Sequence, residues 1–303
     1  MTASLVPLAS SPENEREAFA DLTTVYTDLD GTLLAPAGRL LTNFEGAPSF
    51  RVCEAVVALR RAGVKLIVVT GRSRVQCNEF IRLLDATAII GEMGCSKQER
   101  CTGNLNIAYD TGSFEYDAEK YATPYDAIAA SGAVEELFEH YKGKVEYNYP
   151  RCLNRDVTHA IRGDIDPDEA ETFLKSRGYN LEFEDNGMIF TPKHTTLVDC
   201  PDIHGYHIVP AGTSKAKAVR DDMEQRGFEP GECVSIGDGH GDIEMGEHTG
   251  SFVMMINGLR QERNVSASNS LVNAHKFVTT QKCCDGWVEF ANAVLRAKGL
   301  PEV

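Results

Sequence analysis

The stretch that constrains this chain most is "VKLIVVTG", residues 64–71. It is nearly continuous in apolar, β-branched residues, and it ends at a threonine and a glycine. A strand with one wet face alternates apolar and polar residues. A run without alternation is what a parallel sheet covered on both faces requires. The flanking patterns agree. "TTVYTD" (23–28) reads as a strand. "SFRVCEAVVALRRAG" places Val52, Val56 and Leu59 at helical spacing, with Gly63 suited to the C-terminal cap. "SRVQCNEFIRLL" follows as a helix with Ser73 as N-cap, and "ATAIIG" as a third strand. Strand, helix, strand, helix, strand predicts a doubly wound, Rossmann-like parallel α/β sheet.

The rhythm changes near residue 95. Residues 96–135 have no clear period, and "KVEYNY" and "VTHAIRG" then alternate as half-buried strands. "DPDEAETFLKSRG" carries Asp166 as N-cap, Pro167 at the first helical position and Gly178 after the last turn. "YNLEFED" and "GMIFTP" read as two short strands. The first rhythm resumes with "YHIVP", "SKAKAVRDDMEQRG", "ECVSIGD", "DIEMGEH" and "SFVMMIN". The expected organisation is a flexible tail over 1–23, a discontinuous core over 24–95 and 200–303, and an inserted α+β cap domain over 96–199.

A length of 303 residues suits one large or two ordinary domains, and the contents of 42% hydrophobic and 25% charged residues are those of a globular protein. With 45 acids against 30 bases the net charge is −15. Nucleic acid or an anionic membrane needs a cationic face, so neither is an expected partner. No apolar run nears the ~18 residues of a membrane helix, and the N-terminus lacks the pattern of a signal peptide. The nine cysteines are scattered, with Cys283 and Cys284 adjacent, and form no zinc-ligand spacing. Reduced thiols in a cytoplasmic protein are the simplest expectation.

Four polar spots fall where core strands end, the side on which open α/β sheets bind ligands. Asp28 and Asp30 in "VYTDLDGTLL" stand at i and i+2, so both carboxylates can face one point. Such a pair repels unless a cation or proton is shared. One reading is a hard divalent ion in an all-oxygen site; the other is a turn or helix-capping pair before Gly31. "GDGHGD" repeats the choice with Asp238 and Asp242: a second half of a metal site, or caps of the helix that follows. Its spacing fails the dinucleotide fingerprint. Thr70 and Gly71 suit a phosphate oxygen held by hydroxyl and backbone N–H, or simply end a strand, and Arg72 suits phosphate or a surface carboxylate. Lys215 opens a helix, where a cation opposes the macrodipole; it either neutralises a bound anion or is a solvated surface lysine. No P-loop occurs.

In this order, "DLDGT", "VVTGR", "GTSK" and "GDGHGD" resemble the four motifs of the haloacid dehalogenase-like phosphatase superfamily. The insertion between the second and third resembles the subgroup with a type II cap, the Cof-like and sugar-phosphatase group. "IIGEMG" is similar to that group's E-N-G stretch, with Met93 in place of Asn. Gly241 also stands where Asn is usual, and Ala216 where Gly is common. The resemblance implies magnesium held by Asp28, the main-chain carbonyl of Asp30, and Asp238, with Asp242 holding the metal's waters or orienting Lys215. It implies that Asp28 attacks phosphorus, and that Asp30, its pKa raised in part by Asp28, protonates the leaving oxygen and then activates water. Thr70 and Lys215 would hold the phosphoryl group. Cap candidates for the leaving group are Arg155, His159, Arg162, Lys193 and His194, with His240 nearer the chemistry.

The expected function is a magnesium-dependent phosphatase, monomer or homodimer, acting on a small phosphorylated metabolite, above all a sugar phosphate or phosphoglycerate-type glycoside. A phosphomannomutase-like mutase and an inactive phosphosugar-binding regulator are the alternatives.

Overall fold

The computed structural model describes residues 5–99, 106–189, 192–272 and 274–303. The chain forms two compact units. The first comprises residues 1–70, 80–89 and 215–303, and the second residues 71–79 and 90–214.

In chain order the first elements are β1 (Val6–Pro7), α1 (Pro12–Phe19), β2 (Thr24–Thr27), α2 (Arg51–Arg61), β3 (Lys65–Val69), α3 (Arg74–Leu83) and β4 (Ala88–Gly91). β2 is buried throughout, and β3 is buried after Lys65, as an unalternating apolar run requires. α2 turns Val52, Ala55, Val56 and Leu59 inward, and its cap Gly63 has φ +82°. The second unit then supplies β5 (Ser96–Glu99), β6 (Asn106–Tyr109), α4 (Pro124–Ala130), α5 (Ala133–His140), β7 (Val145–Tyr147), β8 (His159–Gly163), α6 (Pro167–Ser176), β9 (Leu181–Met188) and β10 (His204–Pro210). Asp166 caps α6 as expected, its side chain accepting the N–H groups of Asp168 and Glu169. The chain closes with α7 (Lys215–Arg226), β11 (Cys233–Gly237), α8 (His240–Met245), β12 (Ser251–Met254), α9 (Glu262–Ser270), β13 (His275–Val278) and α10 (Cys283–Ala297).

The first unit is the doubly wound α/β sheet. Its strands run β1–β13–β12–β11–β2–β3, all parallel. From β2 the chain moves outward through β3; from β11 it moves the other way through β12 and β13. The order therefore reverses between β2 and β11, which pair with Ile236 opposite Thr27. A crevice forms outside the carboxyl ends of strands at such a switch point. Asp28 follows β2 there, and Asp238 follows β11. Beneath this end, Trp287 of α10 is fully buried and donates its indole N–H to Thr27 Oγ1 at 3.1 Å. Tyr26 donates to buried Asp222 of α7 at 2.7 Å.

The second unit has an antiparallel sheet, β7–β8–β10–β9. It packs α4, α5 and α6 over a core that includes Ile128, Leu137, Ile161, Leu174 and Phe183.

Three expectations need correction. "YHIVP" was expected as a strand of the doubly wound core; it is β10, paired antiparallel with both β8 and β9. A short apolar run does not say which sheet it joins. "YNLEFED" and the start of "GMIFTP" form one strand, β9, because Gly187, at φ +92°, lets the chain pass an irregularity without turning back; Phe190 and Thr191 lie outside the described residues. Residues 5–23 are not a loose tail. β1 pairs with β13, and Phe19 of α1 is fully buried with its ring 5.1 Å from Phe277 and 5.8 Å from Phe290. Glu15, buried, receives Arg296 at 3.0 Å. Only Ala18 and Phe19 give this helix a buried apolar face, and its three acids hide it from composition.

Phe19→Ala should therefore cost about 3–5 kcal/mol in urea unfolding, as a buried aromatic truncation does. A loss below about 1 kcal/mol, the size of a surface change, would mean that this segment is not part of the core.

Candidate active site

The carboxyl ends of β2 and β11 and the starts of α7 and α8 bring four of the predicted residues together. Lys215, the first residue of α7, is buried and donates from Nζ to Asp28 Oδ1 at 3.0 Å and to Asp242 Oδ1 at 2.8 Å. Asp242 turns its other oxygen back to the N–H groups of Asp238 (3.1 Å) and Gly239 (2.9 Å). It thus caps its own helix and holds the lysine, so the two readings of this aspartate are both realised. The conflict between Lys215 and its helix dipole is resolved the same way: two carboxylates oppose it.

Asp28, Asp238 and Asp242 each offer an oxygen within 4.8 Å of the others. Local backbone makes that approach possible. Gly31 has φ +88°, and a Cβ there would lie 2.3 Å from Asp238 Oδ2. A Cβ on Gly237 would lie 2.2 Å from the Asp242 side chain. Position 31, directly after Asp30 in "DLDGT", therefore requires glycine.

The electrostatics follow from the count: three buried or half-buried carboxylates face one ammonium. Burial pushes the Asp28 carboxyl up to about 7, an effect that Lys215 opposes and Asp242 and Asp30 reinforce. Asp238 is also raised well above its ordinary range, first by burial and then by Asp28 and Asp242. For Lys215 burial acts downward, but Asp242 and Asp28 outweigh it and hold the ammonium charged. With Lys215 and all three acids ionised the cluster carries a net charge of −2. An all-oxygen donor set with that surplus fits a hard divalent cation.

The remaining predicted residues are placed as follows. Asp30 is exposed, just past the strand end. Thr70 is buried at the end of β3, the strand beside β2. Gly71 and Arg72 begin the second unit; the Gly71 carbonyl accepts Arg155 Nη2 at 2.8 Å, and the Arg72 carbonyl accepts the Glu92 N–H. His240 is half-exposed, 3.5 Å from Glu244. Lys193 and His194 are exposed. Arg162 is spent on Glu146 at 2.6 Å and on the carbonyl of His194.

Arg155 and His159, expected to face a leaving group, are interior. His159 is fully buried and stacked on Tyr125 at 3.8 Å; burial pushes its pKa down to about 4. Its place on β8 puts it under α4, because alternation along that strand does not tell an outer face from a covered one. Arg155 lies over buried Glu92, 3.6 Å away, and donates to Thr158. Glu92 in turn accepts the N–H groups of Asp156, Val157 and Thr158.

The three departures from the family pattern have local readings. Met93 sits at φ +61°, a conformation Asn tolerates better, but it is buried with Cys95, Val157 and Val209. A Cβ on Gly241 would meet Lys215 Cδ at 3.8 Å, ordinary contact, so glycine is not required there. Ala216 is buried behind the lysine.

Residues missed in the sequence are Thr32, Asn257 and Asn264, which surround Asp238. Asn257 ends the apolar run "SFVMMIN", the same signal that marks Asp28 and Thr70.

Fold and cluster together define an enzyme core of the doubly wound α/β class with an acidic centre at its switch point. The chain resembles the haloacid dehalogenase-like hydrolases: a family model of that description matches residues 189–286. Over most of its length it is 26% identical to a phosphoglycolate phosphatase of Methanoculleus marisnigri, covering 88% of this chain and 94% of that one. It is 28% identical to the pyridoxal phosphate phosphatase YbhA of Escherichia coli, covering 77% and 87%. The fold is shared with the sucrose-phosphatase of Synechocystis, solved with sucrose and phosphate, at a TM-score of 0.59, 14% identity and coverage of 88% and 95%. Among the described residues no helix is long and apolar enough to cross a membrane, and Cys53, Cys77, Cys95, Cys152, Cys200, Cys233, Cys283 and Cys284 are free thiols.

A raised carboxyl makes a signed prediction. Folded Asp28, at about 7 against an ordinary 3.8, holds its proton more tightly than the unfolded chain. Its cost is therefore absent below about pH 4, grows as pH rises, and is complete above about 7, with a slope of at most ~1.4 kcal/mol per pH unit. In metal-free buffer, Asp28→Asn should gain stability over wild type progressively between those limits in denaturant titrations. A difference that stays constant from pH 4 to 8 contradicts the assignment.

Proposed function

We propose that this hydrolase is a magnesium-dependent phosphatase that cleaves a small phosphorylated metabolite through an aspartyl-phosphate on Asp28. The observation that carries this reading is the buried Asp28–Lys215–Asp242 chain beside Asp238 at the switch point. It offers a nucleophilic carboxylate, a fixed cation for phosphoryl oxygens and donors for a metal.

Asp28 Oδ attacks phosphorus; the new O–P bond forms as the bond to the leaving oxygen breaks. Asp30, exposed just beyond the strand, gives that oxygen a proton, then takes one from the water that attacks the acyl phosphate and frees Asp28. Lys215 and the Thr70 hydroxyl, with the Gly71 N–H beside it, hold the phosphoryl oxygens. Magnesium would be held by Asp28, Asp238 and the Asp30 carbonyl. When bound it would supply the positive charge that the cluster lacks and offset charge on the transferring group. Asp242 already spends one oxygen on Lys215 and the other on backbone N–H groups, which favours orienting the lysine over direct coordination.

The substrate class rests on the relatives. Two are named for phosphoglycolate and pyridoxal phosphate, and a structural neighbour was solved with sucrose and phosphate. A sugar phosphate or phosphoglycerate-type glycoside remains our leading substrate. The inserted unit, which we read as the cap, would select the leaving group. Free thiols favour a cytoplasmic location.

The test is phosphate release from a panel of sugar phosphates, phosphoglycolate, pyridoxal phosphate and nucleotides, with magnesium or with EDTA. We expect turnover of at least one member, lost in EDTA, and a fall of at least ~10³-fold in kcat for Asp28→Asn without loss of fold. An isomerised phosphosugar with no free phosphate would make the protein a mutase. Binding without turnover of any member would make it a phosphosugar-binding protein.

A further inference from the structure

Asp238 is held by a segment to which neither the motifs nor the family comparison gives a role. Asn257, in the turn after β12, donates from Nδ2 to Asp238 Oδ2 at 2.9 Å and to the Gly31 carbonyl at 2.9 Å. Its Oδ1 accepts the N–H of Cys283, the first residue of α10, at 3.0 Å. That third bond settles which way the amide points. A backbone N–H can only donate, so the atom facing it must be the amide oxygen, and the NH2 must face the two acceptors. Cys283 has φ +47° and is buried, a left-handed backbone that aims its N–H at Asn257.

The neighbours of Asn257 close the cradle. Asn264, fully buried on α9, donates to the main-chain carbonyl of Asp238 at 3.0 Å and to that of Gly258 at 3.0 Å. A Cβ on Gly258 would lie 2.3 Å from the same Asp238 carbonyl, so only glycine lets the turn approach. Thr32 stands 3.4 Å from the other carboxylate oxygen.

We propose that Asn257 is a positioning residue that fixes the Asp238 carboxylate, and the Gly31 turn with it, in the orientation that accepts a divalent cation. One amide ties the turn after β2, the turn after β11 and the start of α10 into one rigid corner. Without it Asp238 would be free to rotate away from Asp28, which repels it. Carboxylate ligands held by outer hydrogen bonds bind metal more tightly because orientation is settled before the ion arrives. The inference rests on the reading of Asp238 as a magnesium ligand.

Magnesium titration by calorimetry on the full chain tests it, with circular dichroism as the check on folding. For Asn257→Ala the magnesium Kd should weaken about ten- to a hundred-fold in a protein that keeps its wild-type spectrum. Arg296→Ala breaks the distant pair with Glu15, and should lower thermal stability while leaving the Kd at the wild-type value. If Asn257→Ala does not fold, Asn257→Ser carries the same measurement. A wild-type Kd in the folded Asn257 variant overturns the positioning role while leaving Asp238 as a ligand. A wild-type chain that binds no magnesium overturns the metal reading first, and this inference with it.

Discussion

The contact on which the site depends is the buried ammonium of Lys215 between Asp28 and Asp242. A lysine without partners in that position would lose its proton or refuse burial. Two aspartates without the lysine would not stay ionised so close together. The ammonium is tolerable because the carboxylates surround it, and the carboxylates crowd together at lower cost because it is there. The fold supplies the meeting point: β2 and β11 are neighbours in the sheet, and α7 and α8 start where the strands leave it. Backbone fixes the remainder, with Gly31 and Gly237 vacating the volume that the Asp238 and Asp242 side chains occupy.

The arrangement is unbalanced by design of its charges. Lys215 offsets one carboxylate and leaves the others raised. Such a cluster is stabilised by whatever brings positive charge without bulk. A small hard cation would do so, and on the proposed reading it would also bring an anionic phosphoryl group within reach of Asp28. In the proposed mechanism, binding of metal and substrate to one side of the sheet would therefore have a common electrostatic origin. The hydrogen bonds to Asp242 divide labour: it steadies Lys215 and its own helix start, while Asp238 stays with its asparagine cradle.

Much of this was legible in the sequence because strand ends are easy to see. Asp28, Thr70 and Asp238 each terminate an apolar run, and Lys215 begins a helix it should not favour. Glycine spacing around Asp238 announced a tight turn. What could not be read was how distant segments return to these points. Asn257 carries the same strand-end signal as Thr70, but its partners, Gly31 and Cys283, are remote in sequence. α1 was hidden because its buried face is a few apolar residues among acids. β10 was assigned to the wrong sheet because alternation and length do not name a strand's neighbours. His159 and Arg155 looked like polar residues on an open strand face, whereas helix α4 and the Glu92 carboxylate cover them.

The central claim is that Asp28 itself becomes phosphorylated. It is tested most directly by acid-quenching the Asp30→Asn variant during turnover of an aryl phosphate, whose leaving group needs no proton, and mapping the product by peptide mass spectrometry. The predicted result is one phosphoryl group on the peptide carrying Asp28, because hydrolysis of the intermediate lacks its base. Phosphate release at the wild-type rate with Asp28 unmodified, or a phosphoryl group on any other residue, would contradict the account.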